Sequence, residues 1–243
     1  MIRTKAIVLN RTPHKENDAL VHFYTLDFGK IILAAKGARK QLSKLAAHME
    51  PLNFVELMMI KNKTGFCVGS VISQNSFLNI KKDYNSLYLS GKILSFFLKH
   101  IKEGESDFEL FIFLNDFLKS LDQQIDRLEK KSVRELDFLG DVLIFKLLKL
   151  LGYSFQTSAC VDCGAEEKLS FLNFNKGGVV CVNCVNKEIK DRLFDRNNYL
   201  EINEELLLLK NKVNDSNFDF LLNLEINDKF HNLIRRKIKY LSF

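Results

Sequence analysis

The chain has no tryptophan and two prolines, and its aromatic bulk is carried by 21 phenylalanines. With leucine, these can fill a substantial core. Its five histidines, at positions 14, 22, 48, 100 and 231, fall in no metal-binding pattern, and His48-Met49-Glu50 lacks the HExxH spacing. No motif suggests a Ser-His-Asp or Cys-His arrangement, and no carboxylate cluster has the look of a two-metal nuclease. Lys36-Gly37 does not open a phosphate-binding P-loop, because the required spacing and terminal Ser/Thr are absent. Met1 leads directly into a strand pattern containing Arg3 and Lys5, so no signal peptide is visible. The most apolar helical run, 138–151, is interrupted by Asp141, Lys146 and Lys149, so no membrane span is expected. These absences favour a cytoplasmic protein that is not an enzyme.

What is present begins with four cysteines. Cys160 and Cys163 form one C-x2-C pair, Cys181 and Cys184 another, with seventeen residues between the pairs. That is zinc-ribbon spacing. Two residues between cysteines let a tight turn aim both thiolates at one ion, and the second pair closes the tetrahedron. Two disulfides or two redox pairs are the competing readings. A redox pair is expected at the start of a helix in an α/β pattern, whereas here the pairs flank a strand-like run, 169–174, and a Gly177-Gly178 turn. A reducing compartment also disfavours disulfides. Four thiolates leave no open position, so one structural Zn2+ is expected. The fifth cysteine, Cys67, sits in a strand-like run and reads as a small buried hydrophobe.

The rest of the chain divides near residue 80. Before it, apolar runs at 6–9, 20–26, 31–35, 52–60 and 66–72 read as strands, with a polar loop at 10–18 and turns at 27–29 and 61–65. Five strands with no long helix among them predict a small closed barrel, and the oligonucleotide-binding barrel is one such fold. After Lys81-Lys82-Asp83 the period becomes helical. Helices are expected at 84–101, 108–121 and from Ser132 to about Leu151. The last has a capping box between Ser132 and Glu135 and is apolar nearly all round. A short helix at 204–210 and one final helix over 218–241 follow. The expected class is therefore α+β: an N-terminal small β-barrel over 1–80, then an all-α domain over 81–243, interrupted by a four-cysteine zinc hairpin at 157–186.

The formal charge is +6, and residues 1–80 account for all of it, with eleven Lys or Arg against five Asp or Glu. The cations concentrate at Lys30, Lys36, Arg39, Lys40 and Lys44. Such a loop can lay ammonium and guanidinium groups along a phosphate backbone, and Phe23, Tyr24 and Phe28 are available as stacking partners for bases, with strand alternation placing at least one of them inside. A solvated loop that keeps the protein soluble is the competing reading. The zinc hairpin offers Lys168 and Lys176 but also Asp162, Glu166 and Glu167, so it lacks a strong basic face.

Two blocks of residues carry a resemblance to a known family. One is Tyr24-Thr25, Gly29-Lys30 and Ala35-Lys36-Gly37-Ala38-Arg39-Lys40, ending near Ser43. The other is Leu151-Gly152-Tyr153, Cys160, Cys163-Gly164, Phe171, Gly177-Gly178-Val179-Val180-Cys181 and Cys184. In order and spacing they resemble the bacterial RecO recombination mediators. That resemblance implies an OB-type barrel, a zinc-bearing helical domain, and roles in DNA repair and homologous recombination. It also implies binding of single- and double-stranded DNA, annealing of complementary strands without ATP, and help in loading recombinase on coated DNA. The implied partners are RecR and the acidic C-terminal tail of single-stranded-DNA-binding protein, in the cytoplasm at the nucleoid. The family's basic motif maps onto Lys36, Arg39 and Lys40; Arg3, Lys5, Arg11, Lys15, Lys30 and Lys44 are secondary contacts. The zinc ligands map onto Cys160, Cys163, Cys181 and Cys184. The rival functions are a protein-interaction adaptor with no direct DNA role, and an enzyme with a dispersed site.

Overall fold

The computed structural model describes residues 1–62 and 65–241. The expected turn at 61–65 therefore falls partly outside the described residues, at 63 and 64. The chain forms two compact units, Met1–Leu136 and Asp137–Phe243.

The first unit opens with a closed barrel of five strands: β1 (Ile2–His14), β2 (Asp18–Thr25), β3 (Gly29–Ala35), β4 (Phe54–Asn62) and β5 (Gly65–Asn75). Their order around the barrel is β1-β2-β3-β5-β4. This is the expected small barrel, a five-stranded Greek-key closure of the oligonucleotide-binding type. The barrel closes because β1 is long enough to serve two neighbours. Its first half pairs with β4 from Ile2↔Met59 to Ile7↔Phe54, and its second half with β2 as far as His14↔Asp18. The register shifts between Val8 and Asn10, a bulge that bends the strand between its partners. The expected loop at 10–18 is thus corrected: Asn10–His14 continues the strand, and the turn is only three residues long. The polarity of that segment reflects its half-exposed position.

Inside the barrel, Ala6, Val8, Val21, Phe23, Val55, Leu57, Met59 and Val71 belong to one apolar cluster. Along β4 the pattern alternates, with Val55, Leu57 and Met59 buried and Phe54, Glu56 and Met58 between them only partly so. β1 and β2 break this rule because helices cover their outer faces. Ile7 and Leu9 are buried alongside Ala6 and Val8. Tyr24 points away from the barrel interior yet is fully buried, edge-on to Phe97 at 5.0 Å and stacked with Phe111 at 6.4 Å.

Those rings come from α2 (Tyr84–His100) and α3 (Phe108–Gln123), which follow the short α1 (Leu78–Lys82). Asp83 and Asp107 cap α2 and α3 by accepting from Ser86 N at 2.7 Å and Leu110 N at 3.0 Å. The connection between α2 and α3 lies against β3, where Gly104 N donates to Lys30 O at 3.0 Å. Gly29 makes this fit possible. It has φ +61, and a Cβ there would sit 2.0 Å from Glu105 O. A short α4 (Ile125–Leu128) leads to α5 (Val133–Leu150). The capping box expected there is present: Ser132 N donates to Glu135 Oε2 at 2.8 Å and Glu135 N to Ser132 Oγ at 3.4 Å.

The second unit contains the rest of α5 and a three-stranded sheet in the order β7-β6-β8, from β6 (Leu169–Asn173), β7 (Gly178–Cys181) and β8 (Tyr199–Glu201). It also holds α6 (Val182–Lys190), α7 (Glu204–Asp215), α8 (Phe218–Leu222) and α9 (Asp228–Tyr240). The expected hairpin is β6-β7; α6 and β8 extend it. The expected single final helix is corrected. It is broken at 223–227, where Asn227 starts α9 by accepting from Phe230 N at 2.9 Å. An asparagine that bonds the backbone ahead of it favours a new helix start over continuation.

Candidate functional site

The four cysteines converge. The sulfurs of Cys160, Cys163, Cys181 and Cys184 all lie within 4.8 Å of one another. The Cys163 and Cys181 sulfurs are 3.7 Å apart, close to the edge of about 3.8 Å that a tetrahedron with metal–sulfur bonds of ~2.3 Å requires. The first pair sits on a tight turn in which Gly164 N donates to Cys160 O at 2.9 Å and Cys160 N to Ala165 O at 2.8 Å. Cys181 ends β7 and caps α6, so strand and helix together aim the second pair. Gly178 lets the two halves close, since a Cβ there would lie 2.5 Å from Val161 Cγ1.

The cluster's electrostatics suit a cation. Burial alone would raise the Cys160 pKa, but the backbone N–H groups of Cys181, Asp162 and Cys163 outweigh it and bring it to about 6. The Cys181 donor is 3.4 Å away. Burial and the sulfurs of Cys163, Cys181 and Cys160 push Cys184 the other way, upward. Four sulfurs this close cannot all ionise without a positive charge among them, so the donor set fits a thiophilic metal ion. Four protein ligands would complete its coordination.

Around the cluster a small ion network replaces a large core. Lys176 Nζ contacts Asp162 Oδ2 at 2.7 Å and Glu188 Oε1 at 2.5 Å, and Tyr199 donates to Glu188 Oε2 at 2.6 Å. Burial opposes the Lys176 ammonium, but these two carboxylates outweigh it and hold its pKa above the ordinary lysine range. Lys176 thus joins the first cysteine turn to α6.

The basic residues divide into two groups. Lys36, Arg39, Lys40 and Lys44 are exposed on the connection between β3 and β4. That connection docks on the β1–β2 turn. Gly37 N donates to Asp18 Oδ1 at 2.8 Å, Arg39 N to Asn17 O at 2.9 Å, and the Arg39 guanidinium to Lys15 O and Glu16 O at 3.3 and 3.2 Å. Lys15, exposed on that turn, therefore joins the four at one end of the barrel. Residues 36–44 contain no acidic side chain, and Leu42 at the same place is 93% exposed.

The other expected contacts lie elsewhere. Arg3 and Lys5 are on the half of β1 that pairs with β4, and Arg3 is 3.6 Å from Glu56. Arg11 is engaged by Ala46 O at 2.8 Å and Glu50 at 3.0 Å. Lys30 is corrected outright as a phosphate contact. It is buried, and its ammonium donates to Leu98 O at 2.8 Å and Phe97 O at 3.5 Å, at the C-terminal end of α2. A cation there complements the helix dipole. The expected stacking aromatics are also corrected: Phe23 and Tyr24 are fully buried and Phe28 packs against the barrel core.

Among the described residues, no helix is long and apolar enough to cross a membrane.

Comparison with known proteins bears on both halves. The family model described as "Recombination protein O N terminal" matches residues 1–68, and that described as "Recombination protein O C terminal" matches residues 81–236. The DNA repair protein RecO of Clostridium novyi (strain NT) is 31% identical over 185 residues, covering 76% of this chain and 69% of that protein. Its namesake in Thermoanaerobacter sp. (strain X514) is 30% identical over 188 residues, covering 77% and 72%. With both family halves matched in order around a barrel and a four-cysteine cluster, the chain belongs to the RecO (recombination protein O) family.

Proposed function

We propose that the chain is a DNA repair and recombination mediator that binds single- and double-stranded DNA through its barrel and anneals complementary strands without ATP. The observation that carries this reading is the convergence of Lys15, Lys36, Arg39, Lys40 and Lys44 on two loops at one end of the barrel, where Glu16 is the one exposed acidic side chain. Cations held on backbone loops neutralise phosphates without reading bases. Two strands that repel one another in solution are brought together there, and base pairing supplies the driving energy. Lys36, Arg39 and Lys40 are the main contacts, with Lys15 and Lys44 beside them and Arg3, Lys5 and Arg11 outlying.

In this reading residues 1–80 form the DNA-binding domain and 81–243 a helical domain with the metal insertion at 157–186. The ion is one Zn2+, because four thiolates in tetrahedral array suit a borderline-soft metal with no preference for further ligands. Its part is structural and no covalent step is assigned to the protein. The reading extends to loading of recombinase on coated single strands, with RecR and the acidic C-terminal tail of single-stranded-DNA-binding protein as partners, and to a cytoplasmic, nucleoid-associated location; membership of the family supports it.

The test is an annealing assay on purified protein with metal content and substrate integrity measured together. Faster annealing without ATP, one zinc per chain and intact strands are expected. Failure to retain single-stranded DNA at low salt leaves an adaptor role instead, and cleaved or modified strands indicate an enzyme.

A further inference from the structure

Beside β8, within the second unit, lies a groove of about 920 Å³ that the annealing role described above does not use. One wall is aromatic. The Phe194 ring stacks on Tyr199 with centroids 4.9 Å apart and planes inclined by 26°. Phe171 meets Tyr199 edge-on at 6.4 Å, and Tyr240, 49% exposed, stands 6.4 Å from Phe174. Arg196 and Lys239 are exposed cations on the groove lining, and Glu201 is its one carboxylate. Arg236 holds the arrangement together. Its guanidinium lies 4.8 Å above Phe174 and donates to Tyr199 O at 3.0 Å and Asn197 O at 2.5 Å.

We infer that this groove is a second single-strand nucleic-acid site, in which one or two bases stack on the Phe194 ring, backed by buried Tyr199, and on the Tyr240 ring while Arg196 and Lys239 meet the flanking phosphates. The inference rests on the DNA-binding reading given above and adds a site to it. Three features point to a strand. Aromatic faces with cations at their margin form the combination that binds single strands without sequence preference, because every base has a π-face. The Phe194–Tyr199 pair is already stacked, so a base extends it at little ordering cost. Among the described residues neither cation has a carboxylate within salt-bridge distance, unlike Lys176 in the β6–β7 turn. An acidic peptide matches the charges equally well, but it gains nothing specific from the Phe194 and Tyr240 rings on the same lining.

The experiment uses the full zinc-loaded chain and a short oligothymidylate carrying 5-iodouracil, photo-cross-linked at 50 mM salt and mapped by peptide mass spectrometry. Cross-links are expected on the peptides carrying Phe194, Tyr199 and Tyr240, and they persist when Lys36, Arg39 and Lys40 are all changed to Ala. The variant R196E/K239E, altered only at exposed side chains, loses these cross-links, keeps those on the barrel, and binds one short strand fewer per chain than the parent. Its salt slope falls by about 1.4, the value of two single-strand phosphate contacts. Cross-links confined to barrel peptides, an unchanged stoichiometry in R196E/K239E, or an acidic peptide that occupies the groove without displacing the oligonucleotide overturns the inference. Cross-links in the groove with none on the barrel sustain it and overturn the barrel reading instead.

Discussion

The barrel and the three-stranded sheet are both small β structures, but different forces hold them. Among the described residues, the barrel gathers fourteen buried side chains into one apolar cluster, from Ala6 to Val71. The sheet's cluster has five, and two of these are the candidate ligands Cys160 and Cys181. The barrel closes its hydrogen bonding on itself, whereas the sheet depends on four sulfurs and the Lys176 network. Their cations differ in the same way. On the barrel loop Lys36, Lys40 and Lys44 face solvent. In the second unit Lys210 and Lys237 are buried, and Arg235 is bonded to Asp141 at 3.1 Å. A basic residue is thus available to a polyanion only where packing has not already used it.

The largest effect expected from breaking this comparison comes from the metal. Structural zinc sites contribute on the order of 10 kcal/mol to folding, and the sheet has too few apolar contacts to replace it. Chelation, or C181S, is expected to unfold the sheet and release one ion per chain while barrel amides keep their protection, as followed by hydrogen exchange. Equal loss of protection in both regions means that the metal holds the barrel as well as the sheet.

Next in size is the loop. Three phosphate contacts on a single strand correspond to a salt slope of about 2, or roughly a hundredfold in affinity at 0.1 M salt. Changing Lys36, Arg39 and Lys40 together to Ala is expected to cost about that much in a fluorescence titration, with only the small shift in melting temperature that losing the two exposed Arg39 hydrogen bonds brings. An unchanged slope moves the DNA path elsewhere.

Lys30 sharpens the contrast, because it lies one strand away and is spent on structure. K30M is expected to lower stability by roughly 1–2 kcal/mol, having left the Leu98 carbonyl without its charged donor, and to leave the salt slope intact. Denaturant melts paired with the same titration measure both.

The smallest effect belongs to Lys237. Its ammonium is buried, donates to Tyr153 O, and lies 3.6 Å from the Phe155 ring centroid. Burial, and then Lys210, lower its pKa to about 7. Between that value and the ordinary lysine value of 10.5 the unfolded chain holds more protons than the folded one, so stability rises with pH across this window. K237M is expected to flatten that rise. Denaturation curves from pH 6 to 10 read it directly.

How much of this was legible beforehand depended on whether the deciding contact was local. The five strands, the Ser132–Glu135 capping box and the cysteine pairs follow from spacings of two to four residues, and all are present. Lys30 was misread because the end of α2 that captures it lies 68 residues further on. Tyr24 was misread because α2 and α3 cover the outside of β2, and strand alternation carries no record of that cover. The strand through Asn10–His14 was hidden by its polarity and by Pro13, which the ladder tolerates next to a turn. α6 did leave a signal, with Val182, Val185 and Ile189 at helical spacing. The three residues of β8 left none.

The double duty of β1 has a further consequence, for the order of events during synthesis. Because Ile2 must find Met59, closure is a long-range step and no part of the barrel is finished until β4 and β5 exist. Yet β5 ends at Asn75, and the last of the four cysteines is residue 184. At about 5–20 residues per second, the ribosome takes roughly five seconds or more between the two. The nascent chain therefore has every strand of its barrel, with the basic loop attached, before it has a complete set of thiolates. Of the two small β structures, the metal-held sheet is the later to be completed.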